Sequence, residues 1–163
     1  KELLKGFNEA MEALMNMKKT EGKTLVADII PRLDQIGEKV EKIKELSKRA
    51  PDRQREKLAK KLDELKLSAE GDDERLTREL VIFADRIDIT EEVIRLRSHV
   101  EQFHGMLKTE KARIGRELDF LTQEMNREVN TMASKSQEIE ITQEVLSIKS
   151  QLGKIREQLQ NIE

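Results

Sequence analysis

The chain contains no cysteine, no tryptophan and no tyrosine among its 163 residues. Without cysteine, disulfides, thiolate metal sites and cysteine nucleophiles are excluded together, and a reducing, cytoplasmic setting is the expectation. Aromatic residues amount to 2%, four phenylalanines in all. Sequence-tolerant binding of single strands leans on bases stacked over aromatic rings, and these phenylalanines occupy or flank apolar stripes, which leaves few for that task. Only two prolines and seven glycines punctuate the chain, so most of it is free to be helical. The longest apolar runs are a few residues, such as Leu80 to Phe83, so neither a membrane span nor a signal-peptide core is expected. Charge of one sign is lacking as well. Lys and Arg number 31 against 33 Asp and Glu, a net −2, and no overall basic field exists to gather nucleic acid.

What is present is charge of both signs, 39% of residues, with 36% hydrophobic. That apolar share is low for a compact globule of this length and suits long helices with narrow stripes. Leu3, Phe7, Met11, Leu14 and then Leu25, Ile29, Leu33, Ile36, Val40, Ile43 recur at steps of three and four, an amphipathic helix from Glu2 to about Arg49. Pro31 removes a donor and crowds the carbonyl of Ala27, so a kink or break near Ala27 to Ile30 is expected, with two helices as the safer count. Ala50-Pro51-Asp52 reads as a turn, since the residue before proline avoids the α region. A second helix from Asp52 to about Ser68 would complete a hairpin. Asp72 or Asp73 would cap a helix from Arg75 to Ala84, and Asp88 another.

From there Ile89, Val93, Leu96, Val100, Phe103 and Leu107 form one seam. Ile114, Leu118, Leu121, Met125, Val129 and Met132 form a second, facing it. Ser134 to Gln137 allows a turn, and Val145, Ile148, Leu152, Ile155 and Leu159 mark a final helix. No strand pattern competes. The expectation is an all-α fold: a long projecting helical hairpin over residues 1–71 and an antiparallel helical bundle over 72–163. The first part carries 17 basic and 14 acidic residues, the second 14 and 19.

No glycine-rich phosphate loop follows a strand, and neither a His-Glu-x-x-His pair nor a Ser-centred elbow occurs, so no nucleotide cofactor is expected. Chemistry is left to carboxylates, amides, arginines and two histidines. His99 and His104 are about 140° apart on one helix and cannot clamp one ion. His99, beside Glu92 and Arg95, reads either as a hydrogen-bonded structural residue or as a proton carrier. Glu101 and His104 make a single Glu-x-x-His, half of what di-metal bundles use. Between Gly115 and Thr131 the polar residues are ordered: Glu124 and Glu128 one turn apart on one side, and Asp119, Gln123, Asn126 and Asn130 in a row at steps of 4, 3, 4 on another. This is either a solvated face or an oxygen-rich row for Mg²⁺ or Mn²⁺. Asn is a poor helix former, so two in mid-helix weigh against simple solvation. Lys48 to Lys66 carries a local +4, read either as a solvated face or as a phosphate contact. Arginines near an acidic row are what phosphodiester cleavage requires: cations to neutralise phosphate, acids to hold a metal or move a proton.

At these residues the sequence resembles a known family. Asp85-Arg86-Ile87-Asp88-Ile89-Thr90-Glu91-Glu92, Arg95-Leu96, Ser98-His99, Gly115-Arg116-Glu117-Leu118-Asp119-Phe120, Gln123-Glu124-Met125-Asn126-Arg127-Glu128, Asn130-Thr131 and Ser134-Lys135 are similar to the C-terminal signature of YicC-like proteins. The ending Ile155 to Glu163 is similar too. The resemblance covers nearly all of this chain but only the C-terminal half of a family member, and the family's N-terminal domain has no counterpart here. It implies a bacterial cytoplasmic endoribonuclease that cleaves single-stranded RNA with a divalent cation, Mn²⁺ or Mg²⁺, and assembles as a ring-like homo-oligomer, a hexamer. It further implies His99, Glu124 and Glu128 as catalytic residues, Glu92, Asp119, Glu124 and Glu128 as metal ligands, and Arg86, Arg95, Arg116, Arg127 and Lys135 as phosphate contacts. The competing reading is a non-catalytic oligomerisation or adaptor module, in which Asp119 and Glu124 pair with Arg116 or Arg127 across helices.

Overall fold

A computed structural model of the protein describes residues 2–64, 78, 81–83, 85–109, 114–136 and 138–160. Its long elements are α1 (Glu2–Glu64), α2 (Thr90–Lys108), α3 (Gly115–Lys135) and α4 (Ile139–Gln160). No strand occurs among the described residues, and none of their helices is long and apolar enough to cross a membrane.

The four helices form an antiparallel bundle in which each packs on two neighbours: α1 on α2 and α4, and α3 on α2 and α4. Polar pairs across the seams fix direction and register. Asp34 meets His104 and Glu41 meets Arg97 between α1 and α2. Lys39 and Lys42 meet Glu144, and Arg32 meets Gln151, between α1 and α4. Inside, the predicted stripes converge. Ile29, Leu33, Ile36 and Ile43 of α1 are fully buried with Leu96 and Phe103 of α2, Met125, Val129 and Met132 of α3, and Ile148, Leu152 and Ile155 of α4. Burying each such side chain contributes about 1.5–3 kcal/mol, which is what a bundle rich in surface charge must rely on.

Two expectations about α1 are corrected. It is one helix, unbroken at Pro31 and continuing through 50–52. Pro31 lies on the solvent side, and the stripe from Leu25 to Ile43 stays in phase across it, so burial on both sides outweighs the lost hydrogen bond. Beyond Pro51, Arg53 reaches Glu138 at 3.3 Å and Glu140 at 2.8 Å, tying the helix to the start of α4. The hairpin turn is thus absent from 50–52, and residues 25–43 complete the bundle core. The boundary placed at 71/72 and most of the helix expected from Arg75 to Ala84 lie outside the described residues. At about 1.5 Å per residue α1 is roughly 95 Å long, three times its partners. Its first five turns carry Leu3, Phe7, Met11 and Leu14 exposed.

The other boundaries follow local chemistry. Asp88 accepts the Thr90 backbone N–H at 2.8 Å and so holds the start of α2, one residue before the geometric cap Ile89. Hydrogen bonding from the Thr90 side chain, then from its backbone N–H, with Lys135 nearby, keeps the Asp88 carboxyl below its usual range. Helix α3 begins at Gly115 and stops at Lys135, and the backbone at Ser136 is extended before α4.

Candidate functional site

The seam between α2 and α3 collects most of the acids singled out from the sequence. The Lys135 ammonium, in the last turn of α3 where a cation suits the helix dipole, donates to Glu92 Oε1 at 2.7 Å and to the Asp88 carbonyl at 3.0 Å. One turn further along α2, the Arg95 guanidinium lies 3.7 Å from Glu128 Oε1 and also binds Glu91. Glu92 and Glu128 are 6% and 5% exposed, the only buried carboxylates among the described residues. A buried charge is tolerated when paired, and here each has one cation from the facing helix.

Two atoms on this seam are left over. Glu92 Oε2 and His99 Nδ1 are buried and without a hydrogen-bond partner. His99 projects from the same side of α2 as Glu92 and Arg95, and the register set by Lys135–Glu92 and Arg95–Glu128 brings it level with 124 to 128 on α3. Glu124, half-buried, is one turn from Glu128 and about 40° from it around the helix. Glu92, His99, Glu124 and Glu128 therefore share one seam with Arg95 and Lys135.

Asp119 does not belong to it. Nine residues separate Asp119 from Glu128, two and a half turns, so they face opposite sides of α3. Asp119 sits on the α4 side, accepting from Gln123 Nε2 at 2.7 Å and lying 3.7 Å from Arg156 Nε. The metal set that includes it is thus not brought together, and among the described residues no three His, Asp or Glu side chains are gathered to hold an ion. The pairs required by the adaptor reading also differ: Asp119 meets Arg156, and neither it nor Glu124 pairs with Arg116 or Arg127. His104, with Nε2 3.2 Å from Asp34, belongs to the α1–α2 seam. Arg86 and Arg116 are exposed, the first before α2 and the second in the first turn of α3.

On the α3–α4 side, Gln123, Asn126 and Asn130 line an open groove of about 760 Å³ with Arg127, Lys149 and Arg156. Lys149 donates to Asn130 Oδ1 at 2.9 Å, and Asn126 Nδ2 donates back to the Thr122 carbonyl at 3.1 Å. Lys149 and Arg156 were not among the sequence candidates. Their signal was a spacing of seven on α4, which puts two cations on one face. Of the phenylalanines expected to occupy or flank apolar stripes, Phe103 is fully buried, whereas Phe7 and Phe120 are 61% and 64% exposed.

Comparison with known proteins agrees with the signature. The family model described as "Endoribonuclease YicC-like, C-terminal" matches residues 43–163. A Clostridioides difficile (strain 630) protein named "Probable endoribonuclease YicC" is 43% identical over 162 residues, 99% of this chain and 55% of its own length. A Haemophilus influenzae (strain ATCC 51907 / DSM 11121 / KW20 / Rd) protein of the same name is 36% identical over the same extent and coverage. The chain spans about half the length of these relatives.

Proposed function

The chain belongs to the YicC-like endoribonuclease family, and from that premise we propose that it carries the cleaving centre of a cytoplasmic endoribonuclease acting on single-stranded RNA, located on the α2–α3 seam. The observation that carries this reading is the pair of buried, unpartnered atoms, Glu92 Oε2 and His99 Nδ1, on the seam that also holds Glu124, Glu128, Arg95 and Lys135. An unsatisfied buried polar atom costs about 1–3 kcal/mol. Such atoms need a reason, and a substrate proton or oxygen is one.

In this arrangement Arg95 and Lys135 neutralise the scissile phosphate, and His99 holds or moves a proton at Nδ1. Glu124 and Glu128 flank it as the acid–base partners. The donor set does not form a closed metal cage. Glu92 and Glu128 are the residues that would hold Mg²⁺ or Mn²⁺, each of which takes oxygen ligands and is bound through one or two carboxylates. A cation there would supply charge neutralisation at the phosphate.

The test uses the full-length protein. Glu92→Gln, His99→Ala and Glu128→Gln should each lower cleavage of single-stranded RNA by about 10²-fold or more, and EDTA should abolish it. Unchanged cutting by all three variants sinks the assignment. The ends of the products identify the nucleophile: a 2′,3′-cyclic phosphate for the ribose hydroxyl, a 5′-phosphate for water.

A second reading, a helical adaptor, is favoured by the ion pairs themselves, because Lys135–Glu92 and Arg95–Glu128 also serve to join α2 to α3. Under it the same variants lower the melting temperature and leave cleavage untouched. Assembly as a homo-oligomer, a hexameric ring, belongs to the first reading, and light scattering on the full-length protein tests it.

A further inference from the structure

The α3–α4 groove lies on the other side of α3 from the acid seam, and nothing in the fold explains its composition. Its lining brings together three cations, Arg127, Lys149 and Arg156, with amides and hydroxyls and without a carboxylate. In a chain of net charge −2 that is a local excess of positive charge. The Arg127 side chain makes no hydrogen bond or ion pair among the described residues. Lys149 uses one donor on Asn130 and Arg156 touches Asp119 only at 3.7 Å, so each keeps donors free. From Gln123 to Ser134 the lining runs about 16 Å along α3, the dimension of a track more than of a socket for one phosphate.

Two further observations point to what the track carries. Gly153 stands in the interior of α4 on the groove wall, and a Cβ added there would meet nothing within 4 Å. Glycine weakens a helix relative to alanine; Gly6, Gly22 and Gly105 are equally open, but among these Gly153 alone stands on the groove wall, where a missing side chain lets a ligand come close to the backbone. Phe120 lies seven residues before Arg127, on the same face of α3, and about one turn before Gln123, where the groove's lining starts, and it is 64% exposed. An exposed ring beside a row of cations is what single strands use: stacking on the base, ion pairs along the backbone.

We propose that this groove binds the phosphodiester backbone of single-stranded RNA, with Phe120 stacking on a base at its end, as a holding site separate from the cleaving seam. The choice of RNA rests on the ribonuclease reading above; the groove itself does not. The experiment is titration of labelled single-stranded RNA by anisotropy with the full-length protein in EDTA, over a range of chloride concentrations. Each phosphate contact contributes about 0.7 to the slope of log affinity against log salt. Arg127→Gln should weaken binding about fivefold and flatten the slope by about 0.7, and the triple variant with Lys149→Gln and Arg156→Gln by about 2. Phe120→Leu should weaken binding about tenfold and leave the slope alone. Gly153→Ala should raise the melting temperature and yet weaken binding, opposite signs that a purely structural role does not give.

Unchanged affinity and slope in the triple variant overturn the proposal. So does displacement of RNA by inorganic phosphate beyond a chloride control of equal ionic strength, which would make the groove a single-anion pocket. Cleavage measured on the same variants separates the two sites. Groove variants should raise KM and keep kcat at saturating RNA, whereas Glu92→Gln should lose kcat and keep affinity. Loss of binding in the groove variants with normal cutting by the seam variants would retire the cleavage assignment and leave the groove standing.

Discussion

Replacing Lys135 by methionine removes the ammonium that holds Glu92 while keeping the aliphatic stem that packs along the seam. The carboxylate left behind is 6% exposed, its Oε2 already lacks a donor, and the lost bond to Oε1 is 2.7 Å long. Breaking a buried pair by removing one partner costs about 3–5 kcal/mol, and a hydrogen bond to a charged group about 1.5–3. The Lys135 side chain is one-third exposed, so the lower range applies and about 2 kcal/mol is expected. Glu92→Gln keeps the volume and removes the charge. Lys135 then retains the Asp88 carbonyl and solvent, for a cost of about 1 kcal/mol. The double variant should cost little more than Glu92→Gln alone, because no buried charge remains. The coupling between the two positions is then about 1–2 kcal/mol, outside the 0.3–0.5 kcal/mol within which independent sites add. Urea unfolding at fixed protein concentration measures all three values. If Lys135→Met costs under about 0.5 kcal/mol, or the two substitutions add, the seam is not an electrostatically coupled unit and the reasoning fails.

Four other outcomes are expected. Phe103→Ala, at a fully buried position, should lower stability by about 3–5 kcal/mol; a loss under about 1 would mean that α2 does not pack as described. Pro31→Ala should raise stability by about 1–3 kcal/mol, since the helix continues through an exposed proline that supplies no donor; no change in thermal unfolding would point to a break there. Glu144, held by hydrogen bonds from Lys42 and Lys39, has its carboxyl below the ordinary value of 4.5. Its contribution is therefore complete above that value and lost as pH falls through the lower folded-state one, so Glu144→Gln should cost about 1 kcal/mol at neutral pH and progressively less as the pH is lowered below the ordinary carboxylate value, read from melts across that range. Asp28, lowered first by its hydrogen bond from Arg32, should lose its contribution in the same direction; an Asp28→Asn penalty that grows on acidification would contradict this.

The fold was legible where burial decides it. The stripes through Leu33, Leu96, Met125 and Leu152 are the core, because a period near 3.6 leaves each helix one face to bury. It was not legible at Pro31 and Pro51, where local preference and tertiary contact oppose each other. A proline argues for a break with about 3 kcal/mol, and sequence does not display the burial at Ile29 and Leu33, or the reach of Arg53 to Glu140, that outweighs it.

For the candidate site, spacing alone put Glu124 and Glu128 on one side of α3 and Asp119, Gln123, Asn126 and Asn130 on another; it was the metal set implied by the resemblance that joined the two sides. Asp119 and Glu128, written as one acidic set, are half a helical circumference apart. The circumference also explains why α3 carries such costly residues. Glu124, Glu128 and Lys135 lie toward α2, Asn126 and Asn130 toward α4, and Leu118, Met125 and Val129 fill the strip between. The core strip fixes the helix against rotation, so each flank is held in a constant orientation. An acid flank that turned toward the cationic groove would satisfy Arg127 and Lys149 with Glu128, and both the buried pair and the free cations would vanish. Rigid burial of Met125 and Val129 is thus what keeps the two flanks apart. A cavity made there, such as Met125→Ala, should blunt RNA affinity and cleavage together, whereas groove and seam substitutions affect one each.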